Sequence, residues 1–447
     1  MNRTPPDTPI SVADAGRQLR TGELTATQLL VQVVSRIEAT EPRAHAYASL
    51  DLDAAFAAAA EADRTPARGP LHGIPFGLKD VFAVRGMRTT CGQAGPDGEP
   101  STVDAPVLTS LRRAGGVLLG LQVTHELTCG VDEPPTRDPA HPEHYAGGSS
   151  VGSAVSVAIG SSLFALGTDA AGSVRIPASA TGIVGLKPTR GLLSRQGIAR
   201  VATAPSIDHV GILARSVADV RIVLETLAPG STRHGGASGP ALKGARIGVL
   251  HHRDVGEDPE VTAAFATLVM RLVDLGATPV PVELAELTRA PSVTGTVFMT
   301  ELAAGNRDLF RRAPASYHPA VADLIRAGLA VPRSDARQAH EERWSIAAAV
   351  ETLLRTHRLD ALALPTMPVP PPPLADLNPP TDLPRLTALT CPFNLSGHPA
   401  LTIPSGTTRD GLPIGSQLVG RREDEATLLR IAQELSTAHE AHHPQER

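Results

Sequence analysis

The sequence predicts an α/β layered fold, and three observations carry that prediction. Short apolar runs bounded by Gly or Pro recur at Ile74–Leu78, Val117–Leu121, Ser162–Gly167, Arg246–Leu250, Leu362–Leu364 and Ala400–Ile403. Segments of helical periodicity lie between several of them, at 105–114, 259–275 and 424–438; such alternation marks helices packed on a sheet. Apolar residues make up 42% of the 447 and charged residues 19%, which suits a packed core and excludes global disorder. With 8 Phe, 3 Tyr and 1 Trp, that core has to be built from Ala, Leu, Val and Ile.

In chain order, residues 1–65 read as a helical N-terminal segment packing on a core formed by 66–447. The two make one continuous domain, although about 150 residues per domain would suggest three. Thr25 followed by Gln28 is a capping-box pattern, and Leu30, Val33, Val34 and Ile37 then recur at helical spacing. Residues 53–63 (DAAFAAAAEAD) predict a second helix on propensity. Residues 229–243 predict a surface loop, and the Pro-rich 365–384 an extended, polyproline-like loop. Asp424 is placed to cap a last helix with Leu428, Ile431 and Leu435 on one face. No internal repeat is found.

Charge and composition exclude several classes. A net charge of −5 argues against a nucleic-acid binder. No apolar run reaches the roughly 18 residues of a membrane span, and the N-terminus lacks the apolar stretch of a secretory signal. Cys91, Cys129 and Cys391 are scattered, which predicts a reducing cytoplasm and neither a disulfide framework nor a CxxC zinc site. Of 41 basic residues only Lys79, Lys187 and Lys243 are lysines, so a lysine here is not routine surface charge.

Residues 145–191 stand apart in being dominated by Gly, Ser, Ala and Thr. Small residues let the backbone approach a ligand and point its N–H groups into a cavity. Gly147-Gly148-Ser149-Ser150 leads into a helix-like run, where free N–H groups favour developing negative charge. Asp169-Ala170-Ala171-Gly172-Ser173 is a strand-to-loop transition ending in a second serine. An anion-binding nest or a plain Gly/Ser turn would use the same residues. A serine nucleophile needs a base, and among the sixteen His only His72 and His398 lie in Gly-flanked strand-end contexts, without an obvious carboxylate partner. Lys79 ends an apolar strand: in a dry pocket its pKa falls and it can accept a proton, which Arg could not do. The competing reading pairs Lys79 with Asp80.

Together these residues resemble the amidase signature family. The matches are Gly77-Leu78-Lys79-Asp80, Gly147 to Ser150 with Gly152-Ser153-Ala154, Gly167-Thr168-Asp169 with Gly172-Ser173, Arg175 to Ala178, and 182–189 (GIVGLKPT). Residues 394–400 (NLSGHPA) and 411–417 (GLPIGSQ) resemble C-terminal segments of the family. The likeness runs from about residue 10 to 438. It implies a single α/β/α domain with a mixed central sheet and a Ser-cisSer-Lys triad, with Ser173 as nucleophile, Ser149 after a cis peptide bond and Lys79 as base. It also implies an oxyanion hole of backbone N–H groups from Ala170, Ala171, Gly172 and Ser173, and substrate contacts at Gly148, Cys129 and Gly130. The implied reaction is hydrolysis of a small-molecule amide through an acyl-enzyme, with no cofactor and no metal. The expected partner is that amide, with a homodimer left open. A tRNA-dependent amidotransferase subunit, or an amidase fold repurposed for acyl transfer or binding, are the alternatives.

The sequence departs from the family at Val151, in place of a glycine, and at Ala170-Ala171. These changes predict added methyl groups near the scissile carbonyl and backbone strain if position 171 needs a positive φ. Gly148–Gly152 also fits G-x-S-x-G, but that elbow needs a strand before it and 133–146 is Pro- and charge-rich. The histidine pairs 141/144, 251/252 and 442/443 read as solvated rather than metal-binding, and Cys129 as a small buried thiol. Lys187 is expected to pair with a carboxylate or carbonyl, and Arg175 to brace its loop through Asp169 or Asp208. Pocket walls are expected from 91–100, 125–145 and 295–345, including Phe298, Met299, Leu309, Phe310 and Trp344 if they face inward.

Overall fold

The computed structural model describes residues 9–93, 99–232, 240–251 and 256–442. Eleven strands are found among them: β1 (Tyr47–Leu50), β2 (Pro75–Lys79), β3 (Val117–Gln122), β4 (Phe164–Asp169), β5 (Val184–Lys187), β6 (His209–Ala214), β7 (Arg246–His251), β8 (Thr278–Glu283), β9 (Ala361–Pro365), β10 (Ala400–Thr407) and β11 (Pro413–Gly420). They form one sheet in the order β1-β3-β2-β4-β6-β5-β10-β11-β9-β7-β8. The sheet is mixed. β2 pairs parallel with β3 and β4, and β7 parallel with β8 and β9, while the strands between β4 and β9 pair antiparallel. β2, β3, β4 and β9 are buried along their whole length, as strands covered by helices on both faces must be.

The six apolar runs become β2, β3, β4, β7, β9 and β10, and the three periodic segments become helices at Pro106–Arg113, Pro259–Asp274 and Glu425–His442. Asp424 Oδ1 accepts from the Thr427 N–H at 3.2 Å at the start of the last. The capping box forms as well. Thr25 Oγ1 accepts from Gln28 N–H at 3.1 Å and Gln28 Oε1 accepts from Thr25 N–H at 3.0 Å. The helix Ala26–Ala44 that follows buries Leu30, Val33 and Ile37 against the same apolar cluster as Phe76, Leu78 and Phe164.

Two expectations change. The first 65 residues are not helical throughout, because β1 pairs antiparallel with β3 at the sheet edge; its Tyr47 hydroxyl donates to the Ser161 carbonyl at 2.7 Å. The Pro-rich 365–384 is not extended throughout, because a helix spans Pro379–Leu386. Pro379 and Pro380 open that helix, where a missing N–H costs nothing. Of the 229–243 loop, residues 233–239 lie outside the described residues. Replacing Thr25 by Ala is expected to cost about 1 kcal/mol of folding stability, read as a lower urea midpoint at unchanged m-value.

Candidate active site

β2 and β4 run parallel and adjacent, with Leu78 opposite Leu166, so Lys79 and Thr168-Asp169 emerge at the same edge of the sheet. Lys79 is fully buried. Its Nζ donates to Ser149 Oγ at 2.8 Å and to Thr168 Oγ1 at 2.9 Å. Burial pushes its ammonium down to about 7, against the charges of Asp208 and Asp169, which pull it up. Asp80 does not pair with it. The Asp80 carboxylate accepts from the Thr90 N–H at 3.0 Å and from the Thr90 hydroxyl, and burial raises its pKa to about 6.

Ser149 is buried and follows a cis peptide bond from Gly148. Its carbonyl accepts from Thr124 Oγ1 at 3.0 Å and from the His125 N–H at 3.3 Å. A Cβ on Gly148 would lie 2.5 Å from His125 Nε2, so only glycine fits there. The helix Val151–Ala158 starts immediately after Ser150, and no strand precedes this turn, because β3 ends at Gln122. The elbow geometry of G-x-S-x-G is therefore absent. Val151 turns into a small apolar cluster with Ala44, Ala46 and Val155, so its added methyls are absorbed there.

The loop after β4 is built around one ion pair. Arg175 and Asp169 are both fully buried; Arg175 Nη2 donates to Asp169 Oδ1 at 3.0 Å and Nε to Oδ2 at 3.1 Å. Arg175 also donates to the Thr390 carbonyl at 3.0 Å, Gln417 Oε1 at 2.9 Å and Asn394 Oδ1 at 2.6 Å. Asn394 Nδ2 donates in turn to Asp169 Oδ1 at 2.8 Å and to its carbonyl at 2.7 Å. Burial alone would raise the Asp169 carboxyl, but the Arg175 charge and its hydrogen bonds outweigh it and hold the group well below the usual carboxylate range. Arg175 thus braces the loop through Asp169, one of the two partners expected.

The same carboxylate corrects one expectation. Gly172 N–H donates to Asp169 Oδ1 at 2.8 Å, so it is not free to hold an oxyanion. Val174 N–H donates to Oδ2 at 3.1 Å. The positive φ of the loop falls on Gly172 (+133°), where a Cβ would meet Thr390 Oγ1 at 2.4 Å; Ala171 has no such φ, so the expected strain is absent. Ala170, Ala171 and Ser173 remain with N–H groups that donate to nothing among the described residues. Ser173 is partly exposed, its carbonyl accepts from Ser150 N–H at 3.2 Å, and its Oγ makes no hydrogen bond among the described residues.

The remaining candidates are placed as follows. Cys129 is buried, its Sγ lies 3.7 Å from the Leu127 carbonyl, and burial pushes its thiol up, which makes it an inert thiol. Gly130 takes a positive φ of 73° and faces Leu383. Lys187 Nζ donates to the His398 carbonyl at 2.5 Å. Phe298 packs beside Ala170 and Ala171, whereas Phe310 stacks on Tyr317 and Trp344 is 55% exposed, so Trp344 does not face inward. No metal-binding group is found among the described residues; His252 and His443, and the side chains of His251 and His442, lie outside them, as do 94–98 of the expected pocket wall.

Residues that the sequence reading passed over also build the site. Thr168 is the second acceptor of Lys79, and Asp208 is the nearest acid to it in effect, raised to about 6 by burial. His125 lies 3.4 Å from Asp132 and backs the Gly148–Ser149 turn. Thr168 sits inside one of the family motifs; nothing in the local sequence marks His125.

The fold and this constellation have close counterparts among known proteins. A family model described as Amidase matches residues 28–429, and the chain belongs to that family, the amidase signature enzymes. It is 35% identical over 468 residues to the amidase-type chain of the glutamyl-tRNA(Gln) amidotransferase of Roseiflexus sp. (strain RS-1), covering 94% of this chain and 95% of that one. Among solved structures it resembles one described as an amidase, with a TM-score of 0.87 and 34% identity over 96% of this chain and 100% of the other. It also resembles the native peptide amidase from Stenotrophomonas maltophilia, with a TM-score of 0.82 and 30% identity over 97% and 98% of the two chains.

Removing one partner of a buried ion pair strands the other, so Arg175→Ala is expected to destabilise the fold by about 3–5 kcal/mol in chemical denaturation. Asp169 is held below its unfolded pKa. The stabilisation from its pairing is therefore complete above about pH 4 and is lost as the pH falls below that.

Proposed function

We propose that the chain cleaves the C–N bond of a carboxamide, with Ser173 as nucleophile, Ser149 as proton carrier and Lys79 as base. What carries this reading is Lys79: a buried amine with its pKa drawn to about 7, in hydrogen-bond contact with Ser149. Neutral Lys79 takes the Ser149 proton as Ser149 takes that of Ser173, and Ser173 Oγ bonds to the amide carbon. The negative charge that develops on the carbonyl oxygen is held by the N–H groups of Ala170, Ala171 and Ser173. The proton then returns through Ser149 to the leaving nitrogen, the C–N bond breaks, and an ester remains on Ser173. Water, activated by the same relay, releases the acid.

A second reading concerns where the nitrogen goes. Likeness to one chain of a glutamyl-tRNA(Gln) amidotransferase over 94% of the sequence favours membership of a multi-chain enzyme over a stand-alone hydrolase of linear amides. In that version the amide is glutamine's, the ammonia passes to a partner chain, and tRNA joins the small-molecule partner first expected. The two versions share every step at Ser173. Ammonia release from glutamine that rises on adding a co-purified partner favours the multi-chain version. Turnover of simple amides by the chain alone favours the hydrolase.

Ser173→Ala and Lys79→Ala are each expected to lower kcat by at least about 10³ with the circular dichroism spectrum unchanged. Wild type, but not Ser173→Ala, should gain one fluorophosphonate adduct by intact mass. Because Lys79 must be neutral, kcat/KM should rise with pH through about 7 and then level off. A flat profile from pH 6 to 8 would contradict Lys79 as the base.

A further inference from the structure

The strongest unneutralised charge outside the site lies around the single tryptophan. Trp344, on the helix Arg333–Thr356, is 55% exposed. The guanidinium of Arg343 sits 4.2 Å from its ring centroid and that of Arg190 5.8 Å. Arg195 and Arg422 complete a cluster drawn from three separate stretches of chain: the turn after β5, the long helix, and the turn after β11. All four donate to backbone carbonyls, Arg190 and Arg343 to Ser206, Arg195 to Pro205 and Arg422 to Ser396. None of them forms an ion pair among the described residues. Glu301 is the one acid that bears on Arg190 and Arg343, and it is itself engaged by the Ser206 N–H at 2.9 Å and by His340 at 3.7 Å. Burial and mutual repulsion press the pKa values of Arg190 and Arg343 down. The Nε of Arg343 is buried without an acceptor. Carbonyl oxygens orient these guanidiniums but do not cancel their charge.

We propose that this Arg-Trp patch is a docking surface for an acidic segment of a second protein chain. Trp and Arg are the residues that anchor protein interfaces most often, and a flat exposed ring suits a segment laid across it better than a small ligand, which needs concavity. The chain as a whole carries −5, so the patch is a positive island on a negative molecule. A long polyanion such as RNA would be repelled around it, whereas a short acidic segment meets only the island. The second chain comes from the multi-chain version of the proposed function, on which this inference rests for the kind of partner.

Because Trp344 is the sole tryptophan, its fluorescence reports on this patch alone. The intact protein is titrated with an N-acetylated octaglutamate peptide, with octaglutamine, and with an eight-nucleotide oligouridine. A saturable emission change with octaglutamate, absent with octaglutamine, is expected. Arg190→Gln and Arg422→Gln should each weaken it about fivefold, and raised salt should weaken it further. No saturable change with octaglutamate, equal binding by both variants, or tighter binding of oligouridine would each overturn the proposal. Glutamine-dependent ammonia release is measured alongside. Peptide binding in a chain that hydrolyses only simple amides keeps the surface and removes the multi-chain reading. Partner-stimulated release without peptide binding does the reverse.

Discussion

The buried Asp169–Arg175 pair is the constraint on which the site depends. It joins the end of β4, the loop carrying Ser173, Asn394 of the short helix Pro392–Ser396, and Gln417 of β11. Desolvating two such charges is expensive, and a pair of this kind is seldom a large net source of stability. What it supplies is geometry. Asp169 occupies the N–H groups of Gly172 and Val174, so the intervening N–H of Ser173 and those of Ala170 and Ala171 are the ones left over. One carboxylate therefore decides which donors of the loop are spent on structure and which are not.

The same charge acts on Lys79 at a distance. Asp169 and Asp208 both favour the ammonium, while burial disfavours it more strongly. Arg175 moderates the first of these by neutralising Asp169 within the core. The poise of Lys79 thus comes from three elements far apart in the chain and brought to one sheet edge by the parallel pairing of β2 with β4 and the antiparallel pairing of β4 with β6.

Much of this was legible in the residues, and the gaps have physical causes. Strands buried on both faces leave continuous apolar runs, which is why β2, β3, β4 and β9 are visible beforehand. β8 is an edge strand with exposed positions and two prolines, and β11 opens on Pro and Gly and spends Gln417 on hydrogen bonds, so neither leaves that trace. In the site, Lys79 and Ser149 come together as the motif order implies, and Arg175 meets Asp169. The occupation of the Gly172 N–H was hidden, since a backbone donor's partner depends on a loop's path and not on its composition. His125 was hidden because a buried histidine behind a glycine turn has no local pattern.

The scarcity of lysine has a practical side. Lys79 and Lys187 are fully buried, and Lys243 alone among the three is exposed. Reagents that couple to primary amines will find, apart from the chain's own α-amino group, a single handle just before β7. A dye, a biotin or a resin can therefore be attached with near-unit stoichiometry, without redesigning the molecule.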